Sequence, residues 1–120
     1  MNPAAASEAI IVITTFPDRA TAVQLARSLV AKRLAACVSV LAACESVYRW
    51  QETLESAAEV PLLIKTRAAL YAAVETAVRE AHPYELPEIV AVPVTRGLAG
   101  YLEWVAAETA ASATDEPPAS

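Results

Sequence analysis

Apolar residues recur along this chain with two periods, one close to two and one close to 3.6. Ile10-Ile11-Val12-Ile13-Thr14-Thr15 is β-branched throughout, which predicts a strand covered on both faces. Pro17-Asp18 ends it, and Asp18 or Thr21 is placed to cap a following helix. Ala22, Leu25, Ala26, Leu29 and Arg33 then fall at helical spacing, with Val23 and Val30 beside them. Ala35 to Trp50 reads as one long strand. Glu55 to Thr66 reads as its antiparallel partner, with a turn near Gln51–Leu54. Pro61 inside that partner suggests a bulge or an edge. Leu70, Val74, Ala77, Val78 and Ala81 mark a second amphipathic helix, stopped by His82-Pro83. Glu88 to Val94 is a last strand, Gly97 opens a turn, and Leu98 to Glu108 is a short third helix.

The order β-α-β-β-α-β is the ferredoxin-like arrangement. The fold class is therefore α/β (α+β): a ferredoxin-like sandwich with a long hairpin between its second and third strands and a short C-terminal helix. Residues 8–110 form one domain. Residues 1–7 are expected to be a flexible N-terminus. Residues 111–120, which hold Asp115-Glu116-Pro117-Pro118, are expected to be a disordered tail. A 16-residue strand spans roughly 50 Å, whereas a chain of this length has a diameter of roughly 35 Å. The hairpin must overhang its domain or bend. An overhanging apolar hairpin, with Val47, Tyr48 and Trp50 on it, is an edge that invites another subunit.

Composition narrows the function. The chain has 120 residues and a net charge of −5. It offers no basic footprint for nucleic acid and no apolar run of about 20 residues to span a membrane. Met1-Asn2-Pro3-Ala4-Ala5-Ala6-Ser7-Glu8 lacks the features of a signal peptide, so a cytoplasmic location is expected. Cys37 and Cys44 lie seven apart on the expected strand, roughly 23 Å if it is regular. That excludes a mutual disulfide and places them on opposite faces unless a bulge intervenes. Free buried thiols are the expectation.

The densest chemistry is in Glu80-Ala81-His82-Pro83-Tyr84-Glu85-Leu86-Pro87-Glu88-Ile89, which contains the only histidine. Its two prolines stiffen a loop bearing imidazole, phenol and carboxylates. His82 alone is an incomplete metal site. Glu85, Glu88, a thiolate or groups from another subunit are its candidate partners. Equally, it is a histidine placed to bond the last carbonyls of a helix. A second set comprises Tyr48, Trp50, Glu59, Lys65 and Tyr84 with Glu88. Glu59 and Lys65 are six apart and so share a strand face. Aromatic walls with a few polar groups suit a small-ligand cleft, and Tyr and Trp suit a subunit interface as well. No phosphate loop, nucleophile–histidine motif or Cys-x-x-Cys occurs, so an enzyme is not expected.

His82-Pro83-Tyr84-Glu85-Leu86-Pro87-Glu88-Ile89 resembles the signature of the CutA family of divalent-cation tolerance proteins. Thr14-Thr15-Phe16-Pro17-Asp18, Leu34-Ala35-Ala36-Cys37-Val38, Ser46-Val47-Tyr48-Arg49-Trp50, Glu59-Val60, Ile64-Lys65-Thr66 and Tyr101-Leu102-Glu103-Trp104 match other family segments in order, across about residues 9 to 108. The resemblance implies a ferredoxin-like homotrimer in which each hairpin pairs with a neighbour. It implies a non-enzymatic protein responding to metal ion, with no certain cofactor beyond a divalent metal such as copper. Copper-binding relatives carry a cysteine near the end of strand one and one or two histidines before Pro-Tyr. Here those positions hold Thr14 and Ala81, and His82 alone matches. Weak binding through His82 and Glu88 at an inter-subunit cleft is therefore the expectation. The alternative is a signalling or scaffold trimer that senses a small anionic ligand. Family members usually place a glycine in the hairpin turn, where this chain has Gln51-Glu52-Thr53.

Overall fold

The β-branched run does form a strand, β1, at Ala9–Phe16. A computed structural model describes residues 8–110, so the expectations for 1–7 and 111–120 fall outside the described residues. Helix α1 is Arg19–Ala31; Asp18 caps it, its carboxylate accepting from the Thr21 backbone N–H at 2.9 Å. Strands β2 (Cys37–Val40), β3 (Cys44–Trp50) and β4 (Thr53–Arg67) follow. Then come α2 (Tyr71–Ala81), β5 (Ile89–Pro93) and α3 (Ala99–Thr109). The main sheet runs β2-β4-β1-β5 and is antiparallel throughout, with β3 paired to the far end of β4. This is the ferredoxin-like order, as the sequence predicts.

The long second strand is not continuous, and Pro61 supplies the reason. Val40 pairs with Leu62, which sets Leu41 opposite Pro61. The Leu41 N–H donates to the Pro61 carbonyl at 2.9 Å, but proline has no N–H to return the bond. The Leu41 carbonyl accepts instead from Arg19 Nη1 at 2.9 Å. Beyond the break the register has slipped, for Cys44 pairs with Glu59. Three residues, 41–43, lie opposite two, 60–61, which is a β-bulge. The bulge returns Cys37 and Cys44 to one face, that of their partners Lys65 and Glu59. Neither thiol is buried: Cys37 is half-buried and Cys44 exposed.

One face of the sheet carries the core. Val12 and Phe16 on β1 and Leu62 and Ile64 on β4 pack against Leu25 and Leu29 of α1 and Val74 and Val78 of α2. The hairpin of β3 with the first half of β4 extends past this core, and the molecule is 49 Å long and 33 Å wide. Its turn is tight. Gln51 and Glu52 both adopt positive φ, 50° and 67°, the backbone of a two-residue I′ turn with no glycine in it.

Candidate functional site

His82 sits where two elements meet. Pro83 forces it out of the helical region, so it caps α2 with φ −87° and ψ 135°. The residue is only 9% exposed, and its ring lies against those of Phe16, at 4.2 Å between centroids, and Tyr84, at 4.7 Å, tilted to both. Nε2 lies 2.6 Å from the Thr15 carbonyl on β1. A carbonyl only accepts, so Nε2 carries the proton. Nδ1 accepts the Tyr84 backbone N–H at 3.1 Å. Both ring nitrogens are thus in use, fastening the loop 83–88 to the end of β1. The imidazole bonds β1 rather than the last carbonyls of its own helix.

That anchorage aims Tyr84. Its hydroxyl donates to Glu59 Oε2 at 3.1 Å. Burial pushes the Tyr84 hydroxyl above its ordinary value of 10.0, and the hydrogen bond to Glu59, then the charges of Glu59 and Tyr48, add to it. Glu59 is itself only 8% exposed. It forms no ion pair among the described residues.

A cavity of about 640 Å³ opens between this loop and β3. Tyr48, Trp50 and Tyr84 provide its aromatic walls, and Glu59, Glu85 and Glu88 its charge; Thr15, Ser46, Val47 and Leu86 complete it. No lysine, arginine or histidine lines it. Of the residues expected from sequence, Tyr48, Trp50, Glu59, Tyr84 and Glu88 come together. His82 stands behind the wall, and Lys65 lies elsewhere on the same sheet face. Its Nζ donates to Ser39 Oγ at 2.7 Å and lies 3.9 Å from Cys37 Sγ. Thr15 and Ser46 were not foreseen. Ser46 had a signal, its even spacing with Tyr48 and Trp50; Thr15 had none, since its place depends on the β1–β4 register. Among the described residues, no three His, Cys, Asp or Glu side chains converge to hold a metal ion. Thr14 is fully buried, and its hydroxyl has no hydrogen-bond partner among the described residues.

Fold and cavity together define a small ferredoxin-like domain with an acidic, aromatic-walled cleft. Comparison with known proteins places it more closely. The family model described as CutA1 divalent ion tolerance protein matches residues 10–108, and the chain belongs to that family. It is 41% identical over 98 residues to the divalent-cation tolerance protein CutA of Pectobacterium atrosepticum, covering 82% of this chain and 89% of that one. It is 43% identical over 91 residues to the human protein CutA, covering 76% of this chain. It spans only about half, 51%, of the length of that human relative. The crystal structure of CutA from Xylella fastidiosa matches with a TM-score of 0.82 at 43% identity, over 85% of this chain and 98% of that one.

Proposed function

We propose that this protein is a non-enzymatic homotrimer of the cytosol whose inter-subunit cleft takes up a divalent cation weakly, as part of a response to metal ion. The observation that carries the reading is the charge of the cavity. Among the described residues three carboxylates line it and no cationic side chain does, so it favours a cation and disfavours the small anion of the alternative reading. Glu88, Glu85 and Glu59 are the ligands this geometry offers. Carboxylate oxygens hold hard divalent ions, and nothing softer lines the cleft to favour copper. The residues fit a cation held loosely in a cleft that a neighbour completes; they do not fit a closed metal centre within one chain. His82 becomes a ligand only if its bond to Tyr84 opens, and otherwise its part is to hold the loop that carries Glu85 and Glu88.

The trimer rests on the exposed apolar residues of the hairpin and β5. Val47, Tyr48, Trp50, Leu54, Val90 and Val92 are all exposed in the single chain, an area of the kind that subunit contacts cover. The cytosolic reading rests on the two free thiols, the usual state in a reducing compartment. Among the described residues no helix is long and apolar enough to cross a membrane.

Light scattering coupled to size exclusion should return about three times the 12.7 kDa of one chain. A mass of one chain would overturn the trimer. Calorimetric titration with Ca²⁺ and Cu²⁺ should show weak binding that Glu59→Gln and Glu88→Gln each reduce. Parental affinity in both variants would overturn the cleft as the cation site.

A further inference from the structure

A single metal ion accounts poorly for this cavity. It is about 640 Å³, within the roughly 300–1,000 Å³ range of small-molecule sites. Its three carboxylates surround the space without converging, for no three metal-ligating side chains come together among the described residues. The rings of Tyr48, Trp50 and Tyr84 line the same cavity, and aromatic faces attract organic cations.

Glu59 adds an independent observation. Its carboxylate lines the cavity although the residue is only 8% exposed. One oxygen accepts from Tyr84, and Oε1 has no hydrogen-bond partner among the described residues. No cationic side chain pairs with it there. A carboxylate this little exposed favours an opposite charge, and Glu59 lines the cavity, so a cation held there can reach it. We infer that the cleft binds a linear aliphatic polyamine, one ammonium on Glu59, further ammoniums on Glu85 and Glu88, and the methylene chain against the aromatic walls.

Charge and shape select this class over its neighbours. A monocation such as a quaternary ammonium would answer one carboxylate and leave two. A compact divalent ion answers at most two of the carboxylates at once, since no three metal-ligating side chains converge among the described residues. A triamine carries three positive charges spaced along a flexible chain, one for each glutamate. Aromatic rings interleaved with the carboxylates then contact methylenes and ammoniums alike.

This inference rests on the reading of the cleft as a cation site, and one experiment separates the two. The full-length protein is titrated calorimetrically with spermidine and, separately, with Ca²⁺ in about 0.15 M salt, where long-range attraction to an acidic surface is screened. The parent should bind spermidine. Trp50→Leu, which keeps apolar bulk and removes the indole face, should weaken spermidine on the order of tenfold and weaken Ca²⁺ less. Glu59→Gln should weaken both. Circular dichroism and light scattering on each variant confirm fold and assembly. Ca²⁺ binding without spermidine binding overturns the polyamine and leaves the cation reading standing. Binding of neither overturns both. Spermidine affinity that is the same in parent, Trp50→Leu and Glu59→Gln marks attraction to the surface at large and also overturns the inference.

Discussion

β4 is one strand living in two environments. From Val60 to Thr66 alternate side chains vanish into the core, while from Thr53 to Ala58 almost every residue is open to solvent. Leu62 and Leu54 are the same residue type on the same strand, yet one is 0% and the other 71% exposed. Intrinsic β preference cannot separate them. The difference is the layer above: α1 and α2 cover the first stretch, and nothing among the described residues covers the second. A bare two-stranded hairpin is marginal in water, so the arm draws its support from elsewhere. The cavity lies at the junction, with Glu59 on the boundary between the two halves.

The largest expected effect tests that contrast directly. Leu62→Ala opens a cavity in the core and should cost about 2–5 kcal/mol in urea unfolding. Leu54→Ala should change the stability of the isolated chain by less than about 0.5 kcal/mol. In the proposed trimer, Leu54→Ala should instead lower assembly on dilution. Equal losses for the two variants in the separated chain would show that the arm is as well supported as the core.

A smaller effect is expected at the arm's tip. Gln51 and Glu52 hold positive φ without glycine, a conformation costing an L-residue about 1–2 kcal/mol. Glycine recovers that strain and gives back part of it as unfolded-state entropy. Glu52→Gly should therefore stabilise by about 0.5–1 kcal/mol in thermal or urea unfolding. A destabilised variant would mean that the glutamate side chain makes a contact with a neighbouring subunit.

At the boundary the expected effect is slighter and lies in a coupling. Arg19 supplies the hydrogen bond that Pro61 withholds from Leu41. Arg19→Ala should cost about 0.5–1 kcal/mol. In a Pro61→Val background the restored N–H can pair with the Leu41 carbonyl, and the same change should then cost close to nothing. A double-mutant cycle of unfolding free energies reads the difference; additivity would separate the proline from the strand break.

This boundary is also where the sequence stops being legible. Period-two and period-3.6 patterns place every helix and the sheet order, because each covered face writes its own repeat. Pro61 is visible as an interruption, but on its own strand, whereas the break falls on the partner strand through a missing donor. Tyr48, Trp50 and Glu59 are legible as cleft residues because even spacing fixes their face. Lys65 shares that face and still lies apart, since spacing fixes a face and not a distance along it. His82 is legible as a special residue, but its two bonds, to the Thr15 carbonyl and the Tyr84 N–H, depend on a fold that brings residues 67 positions apart together.

The smallest effect is a titration. The Tyr84 hydroxyl is held above 10.0, chiefly by burial and next by its hydrogen bond to Glu59. A raised value means that the folded protein favours the neutral phenol. The stabilisation is complete below the ordinary tyrosine value and is lost as pH rises through the raised one, so it fails only in the alkaline range. Tyr71 and Tyr101 are also shifted upward, so absorbance alone does not isolate Tyr84. A ¹³C ring titration, assigned with Tyr84→Phe, does. Glu59→Gln removes the charge that opposes ionisation but leaves the burial, and the Tyr84 midpoint should fall part of the way towards 10.0 without reaching it. A midpoint unmoved by Glu59→Gln would break the link between the loop and β4, and with it the account of how His82 shapes the cleft.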